Sequence, residues 1–403
     1  MAPRLRLLPL VLAGLVPAVA TADEVPRVQI EWNLRVRTER VDDDAFARDA
    51  DATTARLRAG VRFQPGGGFS ALVEGEGIAA AGDAYNSGAN GRSAYPLVVD
   101  AEGAELNQAW LAWKNARVQA TVGRQRLLFD NQRWIGNSGW RQNEQTFDAL
   151  LLEATPRPDL TARYAWLQRV HRVNGDDAID PLARERALDS HLFELAWKRD
   201  VQQLAAYAWL HEDEDVATAS TATYGLRSAT STVRDGNGWG LSLELARQRD
   251  YANSPLSFSH SYWLIEPSIT RRGVAWRAGW EHLGGDGRHA LQTPLATLHA
   301  FNGWADKFGV TPVGGLEDRY LGAAGKFATN RFDWQLAWHD YRADTGGRYG
   351  SEWNAALGFP LGAQLKGLVK IADYRADGFA RDTTKAWVQV EWVGHRQYSR
   401  GGE

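Results

Sequence analysis

Between residues 28 and 37 every even position, Val28, Ile30, Trp32, Leu34 and Val36, is apolar, and every odd one, Gln29, Glu31, Asn33, Arg35 and Arg37, is polar or charged. A period of two sets these groups on opposite faces of a strand. A face that carries arginine is not a protein core, so one face wants lipid and the other wants water. A closed barrel, with bilayer outside and a wet channel inside, meets both demands while pairing every backbone group. The same alternation predicts further strands over 54–63, 69–77, 106–114, 117–123, 147–154, 160–170, 191–198, 201–211, 221–227, 239–248, 261–268, 274–282, 318–327, 332–341, 351–358, 365–374 and 384–392. That makes about eighteen strands of roughly the length a tilted membrane strand needs. The fold class is all-β, a transmembrane antiparallel up-and-down barrel.

The connections support this reading independently. Short links (64–68, 115–116, 155–159, 199–200, 228–238, 270–273, 328–331, 359–362) alternate almost throughout with longer ones, among them 78–105, 124–146, 172–190 and 283–317. Short periplasmic turns facing longer external loops are the habit of outer-membrane barrels, and both chain ends fall on the short side, as an even strand number requires. No repeat of fixed period speaks for a propeller or solenoid. Two segments fit poorly: 106–114 carries Trp110 on its polar face, and 261–268 puts Glu266 on the face of Tyr262 and Leu264, so a bulge or another register is expected in each. The acidic runs Asp42–Asp44 and Glu212–Asp215 are expected in external loops as solvated charge, the other reading being divalent-cation bridging to anionic lipopolysaccharide.

Composition narrows the setting. Arg4 and Arg6 precede an apolar run over 7–19 and small-x-small sites ending at Ala20 and Ala22, which reads as a secretory signal peptide over residues 1–22, with the barrel domain over 23–403. There is no Cys, hence no disulfide framework or thiolate chemistry, and 46 Lys+Arg against 49 Asp+Glu argues against nucleic-acid binding. The 18 Trp suit membrane interfaces and the 40 Gly suit turns and close strand approach.

Parity directs Arg35, Arg37, Arg56, Arg58, Arg62, Arg163, Arg169, Arg277, Lys366, Lys370 and Lys385 into the lumen. Glu31, Glu74, Glu76, Glu194, Glu244, Glu281, Glu352 and Glu391 join them. Such groups either form ion-paired ladders that keep the lumen wet or act together to lower the barrier for anions, the basic excess leaning toward the second. The stretch from Gly123 to Asp148, GRQRLLFDNQRWIGNSGWRQNEQTFD, is the most unusual. A loop of this length and polarity folded into the barrel would place Arg126, Asp130, Arg133, Arg141 and Glu144 at a constriction; a hairpin standing above the membrane is the other arrangement open to it. Arg124 has lipid-facing parity, so its strand is expected to end or bulge there. No G-x-S-x-G, H-E-x-x-H, P-loop or EF-hand pattern is present, so no catalytic residue, metal site or cofactor is expected. His282, His289 and His299 lie near Asp286 and Asp306, and read as hydrogen-bonded structural groups.

Three stretches, GRQRLLFDNQRWIGNSGWRQNEQTFDAL (123–150), LQTPLATLHAFNGWADKFGVTPVGGLEDRYLG (291–322) and DTTKAWVQVEW (382–392), resemble the alginate export family of bacterial outer-membrane barrels. The resemblance implies an eighteen-stranded monomeric barrel with an arginine-rich anion conduit that exports acidic exopolysaccharide. By that carry-over Arg126, Arg133 and Arg141 are the constriction residues. The chain departs from the alginate exporter itself, which has a long periplasmic gate near its C-terminus where this sequence has a tight turn at 359–362. The expected function is therefore an outer-membrane, porin-like channel with a mildly anion-selective lumen, surrounded by lipid and lipopolysaccharide and passing anionic solutes. A dedicated exporter of alginate or a similar acidic polysaccharide is the alternative within transport. A rim-site hydrolase and an adhesin are the readings from other classes.

Overall fold

The computed structural model describes residues 26–327, 329 and 331–399, so the leader expected over residues 1–22 lies outside the described residues. Eighteen strands follow in chain order: β1 (Arg27–Asp43), β2 (Ala50–Gly66), β3 (Phe69–Ala80), β4 (Gly103–Lys114), β5 (Val118–Gln125), β6 (Thr146–Arg157), β7 (Leu160–His171), β8 (Glu185–Arg199) and β9 (Gln202–His211), then β10 (Thr221–Ser231), β11 (Gly238–Asp250), β12 (Ser259–Arg271), β13 (Val274–Leu283), β14 (Leu316–Phe327), β15 (Phe332–Arg342), β16 (Arg348–Pro360), β17 (Leu365–Ala376) and β18 (Thr383–Ser399). Each pairs antiparallel with its neighbours, and β1 pairs with both β2 and β18, from Arg27↔Ser399 to Asp43↔Thr383. The sheet therefore closes on itself and leaves no edge. No helix of the described residues is long and apolar enough to cross a bilayer; the strands cross instead.

The alternation read from the sequence is the alternation of the wall. Val36, Leu57, Val73, Leu226 and Leu245 are exposed on the outside, with Trp276, Trp353 and Trp392 among them. Arg35, Arg37, Arg56, Arg58, Glu74 and Glu76 are buried within. The lumen is far from empty. Loops 81–102, 126–145 and 284–315 fold into the mouth, and Leu127, Phe129, Trp134, Ile135, Leu291, Leu295 and Phe308 pack there against inward wall residues such as Phe147, Tyr207, Tyr262 and Tyr341. Val41, Ala50 and Ala52 similarly take up Tyr85 and Val98 of loop 81–102.

The two segments of poor pattern have different explanations. In β4 the register shifts where Glu74 pairs with Gln108 and Gly75 with Leu106, so Asn107 is an extra residue and the strand changes parity across it. Trp110 does face inward, under the Arg62 guanidinium at 5.2 Å. β12 has no such flaw: Tyr262, Leu264 and Glu266 share the lumen face, where Tyr262 and Leu264 pack under the infolded loops and Glu266 accepts from the Tyr320 hydroxyl.

Four expectations require correction. Arg124 neither ends nor bulges its strand; it faces outward within β5, paired with Asp148 at 3.0 Å and donating to the Leu106 carbonyl. Arg169 is not in the lumen. The register shifts between Leu167 and Arg169, and this turns Arg169 to the outer face opposite Asp148, where it pairs with Glu185. Asp43 belongs to β1 and is buried against Lys307 at 2.6 Å. Asp213 is buried too, accepting from Arg186 and from the backbone N–H groups of Asp215 and Val216. Neither acidic run is wholly solvated.

Candidate lumen constriction

Loop 126–145 begins where the Gln125 amide turns inward and donates to the backbone carbonyls of Gly123 and Ala149. Asp130, Gln132 and Ser138 all take positive φ, which lets the chain reverse sharply inside the barrel. Arg133 then reaches β13, where its Nε donates to Glu281 at 2.7 Å while the other guanidinium nitrogens meet Asn302 and Thr293. Next to it, the Trp134 indole donates to Glu244 of β11 at 2.7 Å. A few residues on, the backbone carbonyls of Gly139, Trp140 and Arg141 accept from Arg35, that of Trp140 also from Arg37, and that of Gln142 from Arg56 and Arg58. These four arginines belong to β1 and β2. In a ring of eighteen strands β2 and β11 are nine apart, so the segment crosses the lumen from wall to wall.

The arginines of β1 and β2 are thus largely engaged. Arg35 and Arg56 are direct cross-strand neighbours, an unfavourable pairing of like charges. It is offset because Glu391 sits 3.1 Å from Arg35 and 3.6 Å from Arg56 and also accepts from Asn33. Arg37 is held by Asp100 at 2.7 Å. Arg58 is paired with its cross-strand partner Glu76 and with Glu144, and Glu144 with Arg126, which also reaches Glu74 at 2.8 Å. Nearby cations outweigh burial and hold the Glu144 carboxyl below its ordinary pKa.

Loop 284–315 locks onto the crossing segment from the other side. The Gly136 N–H donates to Leu295 O and the Thr297 N–H to Gln132 O; a side chain on Gly136 would collide with Thr297 Oγ1, so only glycine lets the two loops meet. Arg141 pairs with Asp306 at 2.8 Å and with Glu39 at 3.4 Å, and Lys385 reaches the same Asp306 at 2.9 Å. His299 bridges Asp306 and Lys370, with its Nδ1 2.7 Å from the carboxylate and its Nε2 2.6 Å from the ammonium. Burial pushes the imidazole down to about 3, so it is neutral, donating from Nδ1 and accepting at Nε2. The Lys370 ammonium lies 3.7 Å from the Trp304 ring and 4.1 Å from that of Trp140, which itself stacks on His299.

Sequence reasoning placed these groups unevenly. Arg126, Arg133, Arg141 and Glu144 come together inside the barrel, but Arg133 and Glu144 are buried in ion pairs rather than open to a pore. Asp130 pairs with Arg227 at 2.9 Å, an inward arginine of β10 missed at the end of its predicted strand. Asp100 and Asp306 lie on loops, where no period betrays a side chain's direction. The inward cations that keep substantial exposure are Arg62, Arg126, Arg163, Arg277 and Lys366. Carboxylates stand beside four of them: Glu31 by Arg62, Glu74 by Arg126, Glu153 and Glu194 by Arg163, and Glu266 at 3.8 Å from Arg277. His299 and Asp306 do pair, yet beneath the tryptophans, and the Ser190–His211 contact at 3.0 Å is equally buried.

Residues 27–252 match the family model described as alginate export. Among solved structures, the chain resembles Pseudomonas aeruginosa OccK9 (OpdG) with a TM-score of 0.73 at 15% identity, covering 92% of this chain and 98% of that one. The P. aeruginosa outer membrane protein opdK gives 0.71 at 13% identity over 92% and 99% of the two chains. Acinetobacter baumannii OccAB2 gives 0.70 at 13% over 91% and 98%. No curated protein matches the sequence.

Proposed function

The chain belongs to the alginate export family, and from that premise we propose that it is a passive outer-membrane channel for small anionic solutes, narrowed by the crossing segment and mildly anion-selective. The observation that carries the proposal is the set of inward cations that keep at least partial exposure, Arg62, Arg126, Arg163, Arg277 and Lys366, four of them beside carboxylates, on a lumen where Arg35, Arg37, Arg56 and Arg58 are tied to the segment. Fixed positive charge between low-dielectric walls lowers the barrier for an anion, and salt screens the effect. Closure of the sheet within one chain supports a monomer as the conducting unit.

In planar bilayers under a KCl gradient, chloride should be preferred at low salt and less so at high salt. The double variant Arg62→Gln/Lys366→Gln should shift the reversal potential toward cations. A reversal potential indifferent to both salt and substitution would overturn anion selectivity. The family supports export of an acidic polymer as the second reading. It differs in requiring that long uronate chains traverse the pore, whereas a channel for small solutes is only blocked by them.

A further inference from the structure

Outside the lumen, at the external end of β13 and β14, three potential ligands converge. His282 and Glu317 are direct cross-strand partners. Both point outward, because their neighbours Glu281 and Asp318 are buried in the lumen. Asp344 approaches from the turn 343–347. A ligand atom from each lies within 4.8 Å of the other two, and His282 Nδ1 is 3.8 Å from Asp344 Oδ1.

Hydrogen bonding inside the cluster does not account for this arrangement. The His282 side chain is 9% exposed, and its Nδ1 has no hydrogen-bond partner although it faces the Asp344 carboxylate. A buried nitrogen left without a partner is destabilising unless something satisfies it. The ring is stacked on Trp263 at 5.3 Å and 9°, which holds Nδ1 toward the cluster. Asp344 keeps Oδ1 free because Oδ2 accepts the Gly285 N–H at 3.1 Å. Glu317 likewise commits only Oε2, to Arg319 at 2.7 Å.

We propose that His282, Glu317 and Asp344 form a binding site for a divalent transition-metal ion of the zinc class. One imidazole and two carboxylates favour such an ion over magnesium or calcium, which take oxygen ligands. Tetrahedral ligands at about 2.0–2.2 Å from a metal stand about 3.4 Å apart, so closing the site from its present spacing takes shifts of about 1 Å. Three protein ligands leave a coordination position for water. The ligands also flank loop 284–315: His282 lies two residues before it and Glu317 two after it, and Asp344 holds its second residue. Bound metal would therefore clamp the stem of the loop that locks the crossing segment.

The test is titration of the folded, full-length protein in detergent with CoCl2, followed by displacement with ZnCl2. One saturating equivalent is expected, with a visible d–d spectrum of a nitrogen- and oxygen-ligated ion that zinc abolishes. His282→Gln, Asp344→Asn and Glu317→Gln should each weaken cobalt affinity at least tenfold, while gel mobility before boiling verifies that the barrel stays closed. Absence of saturation below 1 mM, or equal affinity in wild type and the folded variants, overturns the site. Neither result bears on ion selectivity.

Discussion

Buried charge divides the lumen residues into those that hold the protein together and those that remain available to a solute. Arg133 is 2% exposed and Glu281 4%. Removing one member of such a pair strands the other in a poorly hydrated site, at about 3–5 kcal/mol. Arg133→Gln should accordingly lower the urea midpoint for loss of the unheated gel band, whereas Arg62→Gln, whose side chain is 30% exposed, should leave it almost unchanged. Equal effects would mean that the crossing segment is not anchored at β13. His299 makes a second case, with a definite sign. In the locked loops its pKa is about 3, against roughly 6.5 for a solvated histidine. The released state thus binds the extra proton between those values, and locking is fully stabilised above about pH 6.5 and weakens as pH falls. Nearby charge on Asp306, Lys370, Arg141, Lys385 and Glu39 sets the local field, and Asp306, itself held well below the carboxylate range, adds to the loss at lower pH. Between pH 7.5 and pH 5 the histidine alone weakens locking by on the order of 2 kcal/mol. Single-channel records at pH 5 should show more frequent conductance steps, and His299→Gln should flatten that dependence.

Strands and loops differ in how openly the sequence declares them. Wherever a residue's environment alternates between lipid and water, as along β1, β2 and β13, parity alone was enough to place side chains. It failed at Arg169 because one unpaired residue in β7 reverses the two faces, and nothing in the local composition marks that insertion. The infolded loops are a harder case. Unusual polarity singled out residues 124–148, but their anchors, Glu244, Glu281, Asp100 and Asp306, are joined by pairings between residues distant in sequence. On the lipid face, Val36→Arg should cost about 2–4 kcal/mol if it sits near the midplane and should reduce assembly. Recovery of the folded band at wild-type yield would put the register of β1 in error. For the loops, Gly136→Val should force the two apart at Thr297 and raise conductance; an unaltered conductance would mean that their contact does not limit the pore.

At the scale of the whole barrel, closure makes the sheet one cooperative unit. The strands pair with one another around the whole ring, so detergent alone should leave it intact and boiling should change its gel mobility. A single mobility before and after heating would contradict the closed sheet. The wall and the segment that crosses it are joined in an asymmetric way. Arg35, Arg37, Arg56 and Arg58 grip carbonyl oxygens of residues 139–142, atoms that every amino acid possesses. The bolt is therefore indifferent to the letters it holds. A side chain added at Gly139 would leave these bonds in place, whereas the Arg141 side chain is itself a tie, to Asp306 and Glu39. Such a joint lets part of the segment's sequence drift while the path of the chain across the barrel is inherited intact.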